Sequence, residues 1–161
     1  MATPALLDQV RIEPGTADRI DEVMTVMDGA FGDKFGEAWT RSQLSGILPM
    51  AGVFLILAVD RTCDALVGFS LFRTVAGESE LLLIAVLPGE QRRGVGTLLL
   101  DDFLARARDG NIGRVHLEVR AGNPAIGMYR NAGFSPVGRR RNYYHATNGS
   151  RYDAITLACE L

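Results

Sequence analysis

Gln91-Arg92-Arg93-Gly94-Val95-Gly96 carries the residue types of an anion site. An apolar run, Leu81 to Leu87, precedes it, and the stretch Thr97 to Leu104 that follows has helical character. That order predicts a strand, a glycine-bearing turn and a helix start. Backbone N–H groups in the first turn of a helix have no intrahelical acceptor, and the helix dipole concentrates partial positive charge there. Gly94 and Gly96 lack a Cβ, so a ligand can approach the backbone closely. Arg92 and Arg93 add full positive charge. The amides from Arg92 through Gly94, Val95 and Gly96 to Thr97 suit a phosphate, most simply a pyrophosphate. The pattern also fits a plain strand-to-helix turn with solvated arginines, and this stretch alone does not separate the two.

Two nucleotide-binding motifs are excluded. A dinucleotide fingerprint needs a third glycine where Leu99 stands. A P-loop needs Gly-Lys-Ser/Thr, and the chain's only lysine is Lys34.

Other stretches narrow the choice. Ile84-Ala85-Val86-Leu87-Pro88, together with the glycine turn, resembles motif A of the GNAT superfamily of N-acetyltransferases. Leu117-Glu118-Val119-Arg120-Ala121-Gly122-Asn123, then Ala125-Ile126-Gly127-Met128-Tyr129 and Ala132-Gly133-Phe134, resemble its second signature. Arg140-Arg141-Asn142-Tyr143-Tyr144 and Asp153-Ala154-Ile155 are similar to the tail of one branch, the bacterial ribosomal-protein-alanine N-acetyltransferases. The resemblance implies acetyl-CoA as co-substrate. Its pantetheine arm would lie along Ile84-Ala85-Val86, pairing with the backbone of Ile84 and Val86 in a gap between two splayed strands. The pyrophosphate would rest on the amides of the glycine turn, and Asn123 would be a further cofactor contact.

Acetyl transfer to an amine requires a neutral nucleophile, a base to take its proton, an acid for the leaving thiolate and donors for the oxyanion. Glu118 is the base candidate. It lies on the strand face opposite Val115, Leu117 and Val119, and the matching glutamate of the branch accepts the proton through water. The plain alternative is a solvated glutamate in an alternating strand. Tyr129 is the acid candidate, because a phenol can donate to a thiolate; the plain alternative is a core tyrosine on an amphipathic helix. His116 shares the Glu118 face and reads as structural, and His145 reads as exposed.

The chain departs from the family pattern twice. Only Pro124 stands between Asn123 and the Ala125-Ile126 pair, where the family has two residues. A one-residue shift on a helix turns a side chain by about 100°. The link Gly32-Asp33-Lys34-Phe35-Gly36-Glu37-Ala38 is longer than the branch's short connection. It would wall the acceptor site opposite Tyr143 and Tyr144, the pair expected to cover a peptide backbone. The resemblance therefore points to the α-amine of a protein N-terminus, an alanine of a small-subunit ribosomal protein first. A small amine or antibiotic is the second acceptor class. A non-catalytic acyl-CoA-binding module is a third reading, against which Glu118 and Tyr129 argue.

These residues need a scaffold. Val10 to Glu13 alternates as a strand, Thr16 can cap a helix reaching Phe31, and Thr40 can cap a short one through Leu48. Strands follow over Val53 to Asp60, Ala65 to Val75 and up to Leu87. A helix with Leu99, Leu100, Phe103, Leu104 and Ala107 on one face ends near Gly110. Val115 to Arg120 is a strand, Asn123 caps a helix with Pro124 at its first position, and Gly133 ends it. Phe134 to Arg139 and Ala154 to Glu160 close the chain as strands across a long loop. The reading is one α/β domain over residues 1–161, a mixed central sheet with splayed parallel strands flanked by helices.

Composition agrees. Hydrophobic residues make up 47% and charged residues 22%, as in an ordinary globular domain. A net charge of −2 argues against a nucleic-acid binder. No apolar run is long enough for a bilayer, and Met1 to Asp8 lacks the pattern of a signal peptide. Cys63 and Cys159 suggest reduced thiols of a cytoplasmic protein, with no metal-ligand spacing. Nothing in the sequence sets an oligomeric state.

Overall fold

The computed structural model describes residues 4–161; Met1, Ala2 and Thr3, where the N-terminal stretch was read, lie outside the described residues. Strands form over Val10–Pro14 (β1), Val53–Asp60 (β2), Leu66–Val75 (β3), Glu78–Val86 (β4), Arg114–Arg120 (β5), Ser135–His145 (β6) and Arg151–Glu160 (β7). Helices form over Pro4–Gln9 (α1), Ile20–Phe31 (α2), Arg41–Ile47 (α3), Val95–Asp109 (α4) and Ile126–Asn131 (α5). The strands make one 7-stranded sheet in the order β1-β2-β3-β4-β5-β7-β6. Its neighbours are antiparallel except β4 and β5, which α4 joins as a parallel pair.

The sheet is covered on both faces, so its central strands read as near-continuous apolar runs. Val23, Val26 and Met27 of α2 and Leu44 of α3 pack on Leu55, Leu57, Phe69 and Leu71. On the other face Leu99, Leu100, Phe103 and Leu104 of α4 pack on Ile56, Phe72, Val115 and Leu117. Thr40 starts α3 with a reciprocal cap. Its hydroxyl accepts from Gln43 N at 3.1 Å and Gln43 Oε1 accepts from Thr40 N at 2.8 Å.

A bulge in β4 changes which residues face which helices. Leu71 pairs with Leu83 but Phe72 pairs with Leu81, so Leu82 is an extra residue on β4. Leu81 points into the core beside α4, while Leu83 and Ala85 point into the core beneath α2 and α3. Strict alternation would have put all three on one face.

Several boundaries differ from the sequence reading. Helix α1 was not expected; its one buried residue, Leu6, gives almost no periodic signal. Thr16 caps a single 3-10 turn, Ala17–Arg19, and α2 proper begins at Ile20. The long loop before the last strand is instead a hairpin. β6 runs on to His145, and a turn over 146–150 closes with Ala146 N donating to Ser150 O at 2.9 Å. Tyr143 and Tyr144 therefore sit on a strand. Helix α5 starts at Ile126, not at Pro124. Asn123 Oδ1 accepts from Ala125 N at 2.8 Å, so the asparagine shapes the lead-in turn rather than capping the helix directly. Among the described residues no helix is long and apolar enough to cross a membrane.

Phe103 is fully buried, with its ring 5.0 Å from that of Phe72. Phe103→Ala should cost about 3–5 kcal/mol through lost burial and a residual cavity. Urea unfolding of the two proteins measures it; a loss under about 1 kcal/mol would mean that the helix–sheet core collapses readily around the gap.

Candidate active site

Strands β4 and β5 pair from Glu78 and Arg114 only as far as Leu81 and Leu117. Both continue, to Val86 and Arg120, without a shared ladder. The strands part there, as the motif resemblance implied. Between them opens a cleft of about 510 Å³. It is lined by Ile84, Ala85 and Val86 on one side and by Glu118, Val119 and Arg120 on the other. Buried peptide groups almost always find partners. The edge of β4 turned away from β3 thus offers N–H and C=O groups to an extended ligand in the gap.

At the end of β4 the glycine turn leads into α4. Gly94 has φ 93° and Arg92 φ 64°, so the turn uses two left-handed residues, a conformation that gathers N–H groups on one side. No side chain caps α4, and the first bond closing it runs from Leu98 N to Gly94 O at 2.9 Å. The amides of Val95, Gly96 and Thr97 are left for an outside acceptor. Gln91 Nε2 donates to Val86 O at 3.0 Å and ties the turn to the strand end. The two arginines divide. Arg93 is engaged by Glu90 and Gln9, while Arg92 is exposed and makes no ion pair among the described residues. A Cβ on Gly96 would lie 3.3 Å from Met128 Sδ and 3.9 Å from Val86 Cγ2, so this residue marks where α4, α5 and β4 converge.

Glu118 and Tyr129 both line the cleft beyond the parting. The Glu118 side chain is 13% exposed. Its Oε2 accepts from Thr156 Oγ1 at 2.8 Å, and its Oε1 lies 2.9 Å from Arg140 Nε. Arg140 is largely exposed, so this arm can swing away. Tyr129 is buried, edge-on to Phe134 at 5.9 Å. Burial first, and the charge of Glu37 second, push its phenol above the ordinary tyrosine range. It therefore stays protonated, as a donor must. Tyr144 is raised likewise by burial, then by Tyr143 and Glu37, and its hydroxyl donates to Glu118 O at 3.4 Å.

Tyr143 and Tyr144 hang over the cleft because β6 bulges. From Arg140 to Tyr144 the strand advances four residues while its partner goes only from Ala154 to Tyr152. Asn142 takes φ 53° in the bulge and donates its N–H to Asp153 Oδ1 at 2.9 Å. The two rings meet edge-on at 5.0 Å. The α2–α3 link supplies the facing wall with Lys34, Phe35, Glu37 and Trp39. A Cβ on Gly36 would collide with the backbone of His145, so link and hairpin touch main chain to main chain. Asn123 lines the cleft, but both ends of its amide are taken, by Ala125 N and by Glu37 Oε2 at 2.9 Å. His116 sits beside Glu80 at 3.7 Å, and His145 is exposed with Nε2 2.9 Å from Asn142 O.

Sequence reading missed Glu37, Arg120, Arg140 and Thr156 as site residues. Alternation does put Arg120 and Glu118 on one strand face, a signal that was available for the arginine. Glu37 lies in a link without periodicity and carries none.

Residues 20–134 match the acetyltransferase (GNAT) family. The chain belongs to that family. With the family comes the reaction class, acetyl-CoA-dependent N-acetyl transfer. The [ribosomal protein bS18]-alanine N-acetyltransferase of Haemophilus influenzae is 38% identical over 98 residues, 61% of this chain and 67% of that protein. The Escherichia coli enzyme of the same name is 41% identical over 91 residues, 56% of this chain and 61% of its own length. The crystal structure of the ribosomal-protein-S18-alanine N-acetyltransferase from Escherichia coli superposes with TM-score 0.83 at 26% identity, covering 94% of this chain and 93% of that one. Arabidopsis thaliana NAA60 in complex with acetyl-CoA shares the fold at TM-score 0.82 and 17% identity, covering 94% of this chain and 98% of that one.

Two outcomes follow for this GNAT site. Saturating acetyl-CoA should stabilise the protein by about 2–4 kcal/mol, since it binds the folded state alone. NADH and ATP, which lack pantetheine, should do much less. Gly96→Val should abolish the effect by filling the space before Met128 and Val86. Full retention in a thermal-shift assay would put the cofactor elsewhere.

The second outcome concerns pH. Tyr129 and Tyr144 hold their protons to higher pH when folded, while the unfolded chain loses them near pH 10 (about the free tyrosine value). Above that pH the unfolded state binds fewer protons, so stability falls as pH rises; below it the contribution is fully present. Tyr129→Phe should flatten this alkaline loss in urea titrations. An unchanged slope would show that the phenol is not shielded.

Proposed function

We propose that this chain acetylates the α-amine of a protein N-terminus, an alanine of a ribosomal protein first, with Glu118 as general base and Tyr129 as general acid. The carrying observation is the cleft itself. One end is the parted β4–β5 gap, which leads to the uncapped start of α4 where acetyl-CoA would rest its pyrophosphate. The other end is walled by the α2–α3 link and roofed by Tyr143 and Tyr144, with Glu118 and Tyr129 between the two ends. The names of the bS18-alanine relatives support the acceptor. A ribosomal substrate would place the enzyme in the cytoplasm.

The steps follow from the side chains. The incoming amine, with a pKa of about 7.7–8.0, is partly protonated at neutral pH. Glu118 takes its proton, directly or across a water, as Arg140 swings aside; Thr156 keeps the other carboxylate oxygen fixed. The free amine attacks the thioester carbon, and the C–S bond breaks as Tyr129 protonates the departing sulfur. The proton still carried by the new amide nitrogen returns to the Tyr129 phenolate, directly or across a water, while Glu118 gives its proton to solvent. In this reading Ile84, Val86 and the amides of Val95 to Thr97 hold the cofactor still. Asn123 acts on the site through its turn rather than by a free amide.

Glu118→Gln should leave acetyl-CoA binding near normal and lower kcat about 100-fold or more at neutral pH, within the usual range for a lost base. Part of the rate should return at higher pH, where the amine is neutral without help. Tyr143→Ala should raise KM for peptides with N-terminal alanine and leave small amines unaffected. Mass spectrometry locates the acetyl group. Acetylation mainly at lysine, or fast turnover of small amines indifferent to Tyr143, would overturn the acceptor assignment.

A further inference from the structure

The two departures from the family pattern meet at one contact. Glu37 comes from the long α2–α3 link, and Asn123 opens the shortened turn before α5. Asn123 Nδ2 donates to Glu37 Oε2 at 2.9 Å. Arg120 Nε lies 3.3 Å from the other carboxylate oxygen. The two charged side chains are 10% and 9% exposed, so this is a buried pair at the cleft wall. The Arg120 guanidinium stacks 3.6 Å over the Phe35 ring, and its Nη1 donates to Ala121 O at 3.1 Å.

The hydrogen bonds continue from there. Asn123 Oδ1 accepts from Ala125 N at 2.8 Å, and Ala125 O accepts from Tyr129 N at 3.2 Å. A continuous chain thus runs from Glu37 through Asn123 and Ala125 to Tyr129. Helix α5 has only 6 residues, too few to persist without tertiary support. Removing one residue from its lead-in would turn it by about 100° unless something clamps the start.

We propose that Glu37 is a positioning residue that clamps the shortened β5–α5 turn through Asn123 and so aims Tyr129 into the cleft. The longer link thereby compensates for the shorter turn. Glu37 does not itself receive the substrate ammonium, because Arg120 already matches its charge and Asn123 occupies its second oxygen. The inference rests on Tyr129 as the acid proposed above.

Removing Glu37 alone would strand the buried Arg120 charge and endanger folding. The test therefore uses Glu37→Met/Arg120→Met (the double variant), which removes both charges together, and Glu37→Gln/Arg120→Met, which also removes both but keeps an acceptor for Asn123. The double variant should fold, show a wild-type thermal shift with acetyl-CoA, and lose about 10- to 100-fold in kcat with little change in peptide KM, as expected of a misplaced group. Adding Tyr129→Phe should cost nothing more, since both changes remove one function. Amide exchange should quicken over α5 and stay unchanged in β5 and β7. Glu37→Gln/Arg120→Met should keep most of the turnover. Wild-type kcat in the double variant, a loss that multiplies with Tyr129→Phe, or unchanged exchange over α5 would overturn the clamp. A full rate in Tyr129→Phe alone would instead remove the acid role, and exchange over α5 would still decide whether the clamp exists.

Discussion

The structure depends on a pairing that stops. Two parallel strands at the centre of the sheet share a ladder to Leu81 and Leu117 and then separate. Leaving backbone polar groups unpaired in the interior is costly, so a gap of this kind has to be held open by its surroundings. The bulge at Leu82 begins the divergence and re-aims the rest of β4. The far side of β5 stays fully laddered to β7 from Arg114 to Arg120, without a register shift. The same gap opens the cleft that both Glu118 and Tyr129 line.

Charge at the site is arranged in closed pairs. Arg93 is met by Glu90, Glu118 by Arg140 and Glu37 by Arg120. The pairs differ in burial, and that difference separates their roles. Arg140 is mostly in water, where an ion pair is weak and easily exchanged. Arg120 and Glu37 are withdrawn from solvent, where breaking one side is expensive. The uncapped first turn of α4 and the exposed Arg92 stand outside these pairs.

The legible parts of the chain were those set by local rules. The glycine turn was readable because φ 93° at Gly94 strongly favours a residue without Cβ. Thr40 announced α3 as its cap, and the structure adds Gln43 as the reciprocal partner. Glu118 was placed on its strand face by a simple alternation, and that face is the one lining the cleft. The hairpin was less legible. Arg140 and Arg141 are exposed on an edge strand and show no apolar alternation, so β6 was legible only as far as Arg139 and the rest looked like a loop.

By itself the sequence determined the element order from β1 onward, the two cores' apolar stripes, the glycine turn between a strand and a helix, and the family. These follow from short-range geometry and from residue types that only a few conformations accept. The tertiary structure alone decided where β4 and β5 part, because a ladder's length depends on both strands and on the bulge between them. It also decided that β6 overhangs the cleft, and that Glu37 from a link with no pattern reaches Asn123 across 86 residues of sequence. Contacts between segments so far apart leave no periodic trace in either one. They exist only when the sheet has brought the two loops to the same end of the same strand.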